Sequence, residues 1–171
     1  MIIRPATLSD ADIIIPLTNK VYSQSEGHFW VKDWQRLDVD TFTQYINQQS
    51  VFLALQDGSV VGCVYAKKEE EMLNFGMLVC HPDHRGKGIG TFILDYVIRK
   101  AKDEGCQGVS CDCIFPIEYE DEHRMFLDRF YVSKGFSHVK DVSSDVLGTY
   151  DPVFPSLLVT PVVIRVYVLS F

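Results

Sequence analysis

No apolar run in this chain of 171 residues is long enough to cross a bilayer. The best stretch, Leu157 to Phe171, is broken by Arg165 and falls short of the roughly 18–20 uninterrupted apolar residues that a spanning helix needs. No apolar h-region follows the opening Met-Ile-Ile-Arg-Pro-Ala-Thr either, so neither a signal peptide nor a membrane partner is expected. Positive charge is also short: 16 Lys and Arg stand against 23 Asp and Glu, a formal charge of −7. A surface that acidic repels phosphate backbones, which argues against nucleic acid as a partner. Cysteines are few and odd in number, namely Cys63, Cys80, Cys106, Cys111 and Cys113. Cys111-Asp-Cys113 is too tight for the usual zinc spacing and no second pair completes it, so no metal is expected. Reduced, buried thiols in a cytoplasmic protein are the simpler reading. His81, His84 and His123 have no ligand spacing among them and are expected in turns or at the surface. Internal repeats, linkers and low-complexity stretches are absent too. What remains, with 47% hydrophobic and 12% aromatic residues, is the composition of one globular domain over residues 1–171.

Hydrophobic periodicity then places the elements. Ile2–Pro5 reads as an opening strand. Ser9-Asp-Ala-Asp12 looks like an N-cap box, with an apolar helix to about Val21. Ser23–Leu37 is polar and aromatic without a period, and a second helix is expected from Asp40 to about Gln48. Val51–Leu55 and Val60–Ala66 are strands, and Asp57-Gly58 between them suits a type I′ hairpin turn, where both central residues need positive φ. Lys67–Glu71 reads as a charged turn before a strand at Met72–Cys80, so three strands form an antiparallel meander. Gly88–Glu104 carries a helical stripe of Ile89, Ile93, Val97 and Ala101, stopped by Gly105. Val109–Phe115 is a strand, and strand–helix–strand implies a right-handed crossover and a parallel pair. A helix over Glu120–Lys134 puts Phe126, Leu127, Phe130 and Tyr131 on one side, its acidic start at Glu118–Glu122 being solvated. Strands at Phe136–Val142 and Pro161–Leu169 finish the chain. The class is α/β (α+β), a mixed central sheet of about six or seven strands flanked by about four helices.

The segment Cys80-His-Pro-Asp-His-Arg85-Gly86-Lys87-Gly88-Ile89-Gly90-Thr91 carries the chemistry. A strand ends, a loop with three glycines follows, and a helix starts inside it. The first helical N–H groups have no intrahelical partner, the helix dipole is positive there, and missing Cβ atoms let an anion approach. Arg85 and Lys87 add charge. The Walker A pattern fails because Lys87 comes too early and no Lys stands directly before Thr91, and the dinucleotide pattern fails because its third glycine would fall at Ile93.

Arg85-x-x-Gly88-x-Gly90 resembles the pyrophosphate loop of the GNAT superfamily of N-acetyltransferases. Ile3-Arg-Pro-Ala-Thr-Leu-Ser-Asp-Ala is similar to that family's opening strand and helix. Phe130-Tyr131-Val-Ser-Lys-Gly135-Phe136 is similar to its helix-to-strand motif. The three landmarks stand in order across residues 2–136.

The resemblance implies acetyl-CoA as acyl donor and a GNAT-like single domain whose parallel pair splays to admit pantetheine. Leu78, Val79 and Cys80 would then hold pantetheine, and Arg85, Gly86, Lys87, Gly88, Ile89, Gly90 and Thr91 the pyrophosphate. Tyr131 matches the family tyrosine that protonates the departing thiolate. The family's usual glutamate base is replaced by Asn74; Glu70, Glu71 and Asp112 are poor substitutes, and a water relay or an already neutral amine stays open. The irregular Ser23–Trp34 segment would cap the acceptor side, where Glu26 would pair with an ammonium and Trp30 stack on it, or both would simply pack. The tail Tyr150–Pro161 would close the cleft or form a homodimer contact. The expected reaction is direct attack of a small-molecule primary amine on the thioester in a ternary complex. A protein Lys or N-terminal acetyltransferase and a non-catalytic acyl-CoA-binding module are the alternatives.

Overall fold

The computed structural model describes residues 1–149 and 152–171; Tyr150 and Asp151 of the proline-rich tail lie outside the described residues. The chain divides into two compact units, Met1–Tyr22 with Gln35–Val109, and Ser23–Trp34 with Ser110–Phe171.

The first unit opens with β1 (Ile2–Pro5) and α1 (Ala11–Glu26, of which residues to Tyr22 belong here). It continues with α2 (Val39–Asn47), β2 (Val51–Gln56), β3 (Ser59–Glu69), β4 (Met72–Cys80), α3 (Ile89–Asp103) and the start of β5 (Gly108–Pro116). The strands are ordered β1-β2-β3-β4-β5. The first four form an antiparallel meander, and β5 starts parallel to β4 after the α3 crossover. At the β2–β3 hairpin, Asp57 and Gly58 both have positive φ, +52° and +81°, as a type I′ turn requires.

Start and length of α1 differ from the pattern in the sequence. The cap is Thr7, not Ser9: Asp10 Oδ2 accepts from the Thr7 N–H at 2.8 Å, and a short 3-10 turn, Leu8–Asp10, leads into the helix. Arg4 of β1 grips the same carboxylate with two bonds of 2.9 and 2.7 Å. The helix then runs past Val21 to Glu26, with Pro16 near its start. The charged turn also shrinks, because β3 continues to Glu69 and only Glu70 and Glu71 are left to turn the chain.

One core cluster packs Ile14 and Leu17 of α1, Phe42 of α2, and Leu53, Cys63, Met77 and Val79 of the sheet. Ile89, Ile93, Leu94, Val97 and Ala101 are the buried stripe of α3. The helix lies close because Gly62 of β3 has no Cβ: one built there would sit 2.5 Å from the Val79 carbonyl and 2.8 Å from Ile93 Cδ1.

The second unit holds the rest of β5, α4 (Glu122–Ser133), β6 (Ser137–Ser143), the short α5 (Phe154–Leu157) and β7 (Val162–Ser170), with strands ordered β5-β7-β6. Asp121 caps α4 by accepting from the Arg124 N–H. The buried face of α4 is Arg124 and Tyr131, whereas Phe126 is 54% exposed. Phe126 therefore does not belong to the core side that its spacing suggests. It lies between His123 and Phe130 in an outward stack instead, at centroid separations of 6.3 and 6.4 Å. Among the described residues no helix is long and apolar enough to cross a membrane.

Candidate functional site

In the first unit the loop between β4 and α3 is built as a set of main-chain donors. A 3-10 turn at Pro82–His84 turns the chain away from β4, and Arg85, Gly86, Lys87 and Gly88 are all exposed. Gly86 and Gly88 have φ of +74° and +77°, and a Cβ on either would point into open space. Side-chain bulk is thus missing on the open side, and the left-handed backbone requires glycine at both positions. Gly88 is the N-cap of α3, and the first i→i−4 bond of the helix is Phe92 N–H to the Gly88 carbonyl at 2.9 Å. The N–H groups of Ile89, Gly90 and Thr91 precede that bond and point along the positive end of a fifteen-residue helix. Ile89 is buried and anchors the turn, so its contribution is its main chain alone. The Lys87 ammonium donates to the Asp83 carbonyl at 3.1 Å.

The strand feeding this loop has a defect that alternation hides. Opposite β3, Cys63 pairs with Val79 and Tyr65 with Gly76, so Met77 and Leu78 together face Val64 alone. This is a β-bulge, and Met77 takes φ +47° to make it. Cys63 and Ala66 lie on opposite faces of β3, so their partners Val79 and Phe75 do as well. The bulge reverses which face the odd-numbered residues of β4 use. Val79 is fully buried and can offer a ligand only its peptide groups, while Leu78 and Cys80 are half-buried. Burial pushes the Cys80 thiol up, against the pull of nearby Arg85. Asn74 is half-buried opposite Lys67.

In the second unit Tyr131 is buried to 4% exposure. Its ring packs on Phe136 and Tyr167 at 5.8 and 5.4 Å. Asp112, next in line, is exposed. Glu26 and Trp30, predicted as acceptor-side residues, have partners inside the unit. Glu26 is 4% exposed and pairs with Arg124 at 3.5 Å, so an ammonium has no unmatched charge to meet there. Trp30 is 5% exposed and stacked on Trp34 at 4.2 Å and 9°, within a cluster that includes Phe29 and Val162. Packing is the reading that fits both. A pocket of about 500 Å3 lies elsewhere in this unit, lined by Phe115 to Asp121, Met125 and Arg165. Among the described residues no group of His, Cys, Asp and Glu is arranged to hold a metal.

Two features here had no reading in the sequence: the Met77 bulge and the Glu26–Arg124 pair. The bulge has no signal, because Gly76 beside it is the residue expected to take positive φ and does not. The buried arginine had one: Arg124 is in register with Tyr131, seven residues on, along the inner stripe of α4.

The acetyltransferase (GNAT) family model matches residues 20–116, more than half of the chain. The chain belongs to the acetyltransferase (GNAT) family. A curated relative, the mycothiol acetyltransferase of Nocardiopsis dassonvillei, is 43% identical over 53 residues, which is 31% of this chain. The chain spans only 16% of that relative's length. Solved structures match over nearly all of the chain. The PaiA N-acetyltransferase of Thermoplasma acidophilum, in complex with coenzyme A, has a TM-score of 0.74 at 13% identity, covering 99% of this chain and 98% of that one. The yncA putative acetyltransferase of Salmonella typhimurium, with acetyl-CoA, has a TM-score of 0.69 at 16% identity, covering 99% and 93%. These structures share the fold.

Proposed function

We propose that this chain is an acetyl-CoA-dependent N-acetyltransferase that acetylates the primary amine of a small molecule by direct attack in a ternary complex. The observation that carries this reading is the donor loop, in which two left-handed glycines with open space at Cβ lead into the N-terminus of α3, flanked by exposed Arg85 and Lys87. That chemistry fits a pyrophosphate. The N–H groups from Arg85 to Thr91 would take its oxygens, and Leu78, Val79 and Cys80 would hold pantetheine through peptide groups.

Acetyl-CoA supplies the activated carbonyl carbon. As the N–C bond forms and the C–S bond breaks, Tyr131 Oη gives its proton to the released sulfur, and the proton shed by the nitrogen restores the phenol. A backbone N–H near Cys80 stabilises charge on the carbonyl oxygen, an interaction commonly worth about 3–4 kcal/mol. Asn74 offers no proton-accepting group, so the amine enters as its free base. Log kcat/KM is accordingly expected to rise with unit slope up to the pKa of the amine used.

The test is release of coenzyme A thiol from acetyl-CoA against a panel of small primary amines and peptides, with acetyl-CoA binding measured in parallel. Turnover with a small amine supports the proposal. Turnover confined to peptides moves the acceptor to proteins, and binding without turnover makes the chain a sensor of acyl-CoA. A chain that does not bind acetyl-CoA ends the proposal.

A further inference from the structure

Helix α4 is fastened to β7 at one carboxylate. Asp128 lies one turn before Tyr131 on α4, and its Oδ1 accepts the Tyr167 hydroxyl at 2.5 Å and an Arg165 guanidinium N–H at 3.5 Å. Arg165 and Tyr167 are two residues apart on β7, so both side chains leave the same face of the strand. The bond from Tyr167 is the short one, and a phenol donating to a carboxylate is about twice as strong as a neutral pair. Tyr167 is fully buried. Burial, with the Asp128 carboxylate beside it, pushes its hydroxyl far above the ordinary tyrosine range, so the phenol keeps its proton and stays a donor. Its ring meets the Tyr131 ring at 5.4 Å and 43°. Tyr167 therefore touches α4 twice, at Asp128 by its hydroxyl and at Tyr131 by its ring, and both contacts fall within one helical turn.

We propose that Tyr167 is a positioning residue for Tyr131: its bond to Asp128 locks its own ring, and that ring fixes where the Tyr131 hydroxyl stands. Phe130 and Phe136 also pack on Tyr131, at 5.4 and 5.8 Å, but a phenylalanine ring has no polar atom to anchor it and can slide in its plane. Tyr167 cannot slide without breaking its hydrogen bond. Such precision matters because a misplacement of about 1 Å at a reacting group can cost about 10²-fold in rate. The inference rests on the acid role proposed for Tyr131 and adds a residue from the last strand of the fold.

Two measurements test it. Tyr167→Phe keeps the ring and removes the bond, Asp128→Ala removes the bond from its other end, and Asp128→Asn keeps an acceptor oxygen. In thiol-release kinetics with acetyl-CoA and the small primary amine that the native enzyme turns over fastest, Tyr167→Phe and Asp128→Ala are each expected to lower kcat about 10-fold with KM for acetyl-CoA unchanged. Together they are expected to cost no more than either alone, because both cut one bond, and Asp128→Asn is expected to recover most of the loss. In the Tyr131→Phe background Tyr167→Phe is expected to add nothing, because it acts through Tyr131. In protein labelled with 13Cζ-tyrosine, the Tyr131 resonance is the one missing from Tyr131→Phe. It is expected to shift in Asp128→Ala and to stay near its native position in Asp128→Asn. An unmoved resonance in Asp128→Ala overturns the proposal, as does an equal loss of kcat in both backgrounds. If no amine is turned over, or Tyr131→Phe is as fast as the native enzyme, the acid role itself falls; if Tyr131→Phe is slow while Tyr167→Phe is normal, only the role of Tyr167 falls.

Discussion

Tyr131 is the side chain to which the proposed function gives the proton transfer. Its burial at 4% exposure among Phe130, Phe136 and Tyr167 gives it one ring orientation, and proton transfer from such a fixed donor contributes about 10²–10⁴ in rate. Tyr131→Phe keeps the packing and removes only the hydroxyl, so turnover is expected to fall by at least ~10-fold with melting temperature nearly unchanged. Steady-state kinetics beside a thermal melt separate the two. Tyrosine in front of Lys134-Gly135-Phe136 was visible in the sequence as a motif. The ring of Tyr167 that packs on it was not, because nothing in an alternating strand says which distant aromatic it will meet. Glu26 is the opposite case. An acidic residue in an irregular, aromatic segment invites a binding role, but Arg124 on α4 neutralises it inside the fold. Single-sequence reading sees charge, not the partner that answers it.

At the scale of elements, the β4–α3 loop was legible and the strand before it only half so. Gly86 and Gly88 announce left-handed backbone, and both have it. Gly88→Ala forces a Cβ onto φ +77° at the cap of α3, a cost of about 1–2 kcal/mol. If the loop adopts another conformation to escape that strain, the donors disperse, and coenzyme A binding measured by calorimetry is expected to weaken about 10-fold or more. The meander, its type I′ turn and the crossover helix follow from period and turn chemistry, and their ends fall within a few residues of the pattern. The cap of α1 was misread by two residues, because Arg4 and Thr7 both compete for Asp10 and together recruit it away from a simple Ser9 cap. Helix α4 was misread in its facing. Four apolar residues define a stripe on paper, but the fold buries Arg124 and leaves Phe126 outside.

For the whole molecule, an excess of acid sets the response to pH. Asp10 is held down to about 2, chiefly by the hydrogen bonds from Arg4. A carboxylate depressed in the folded state contributes stability that is present above its ordinary value near 3.8 and is lost as pH falls toward 2. Melting temperature is therefore expected to drop between about pH 4 and pH 2, and less steeply in Asp10→Asn, which starts lower at neutral pH. A pH series of melts on the two proteins checks it. The formal charge of −7 says little about a phosphate ligand, since a few oriented peptide dipoles and two basic side chains decide the field within a Debye length of the loop. Where the net charge does act is at longer range, where it favours the approach of cations over anions.

The bulge at Met77 and Leu78 makes β4 a strand whose length is as constrained as its composition. No point substitution can undo it, because the surplus is a peptide unit and not a side chain. Losing one residue there would turn Val79 and Cys80 over against the meander behind them, or shift everything before them, and either change exchanges an inner face for an outer one. Drift within the family can therefore exchange one apolar letter of this strand for another, while insertions and deletions in it are expected to be purged.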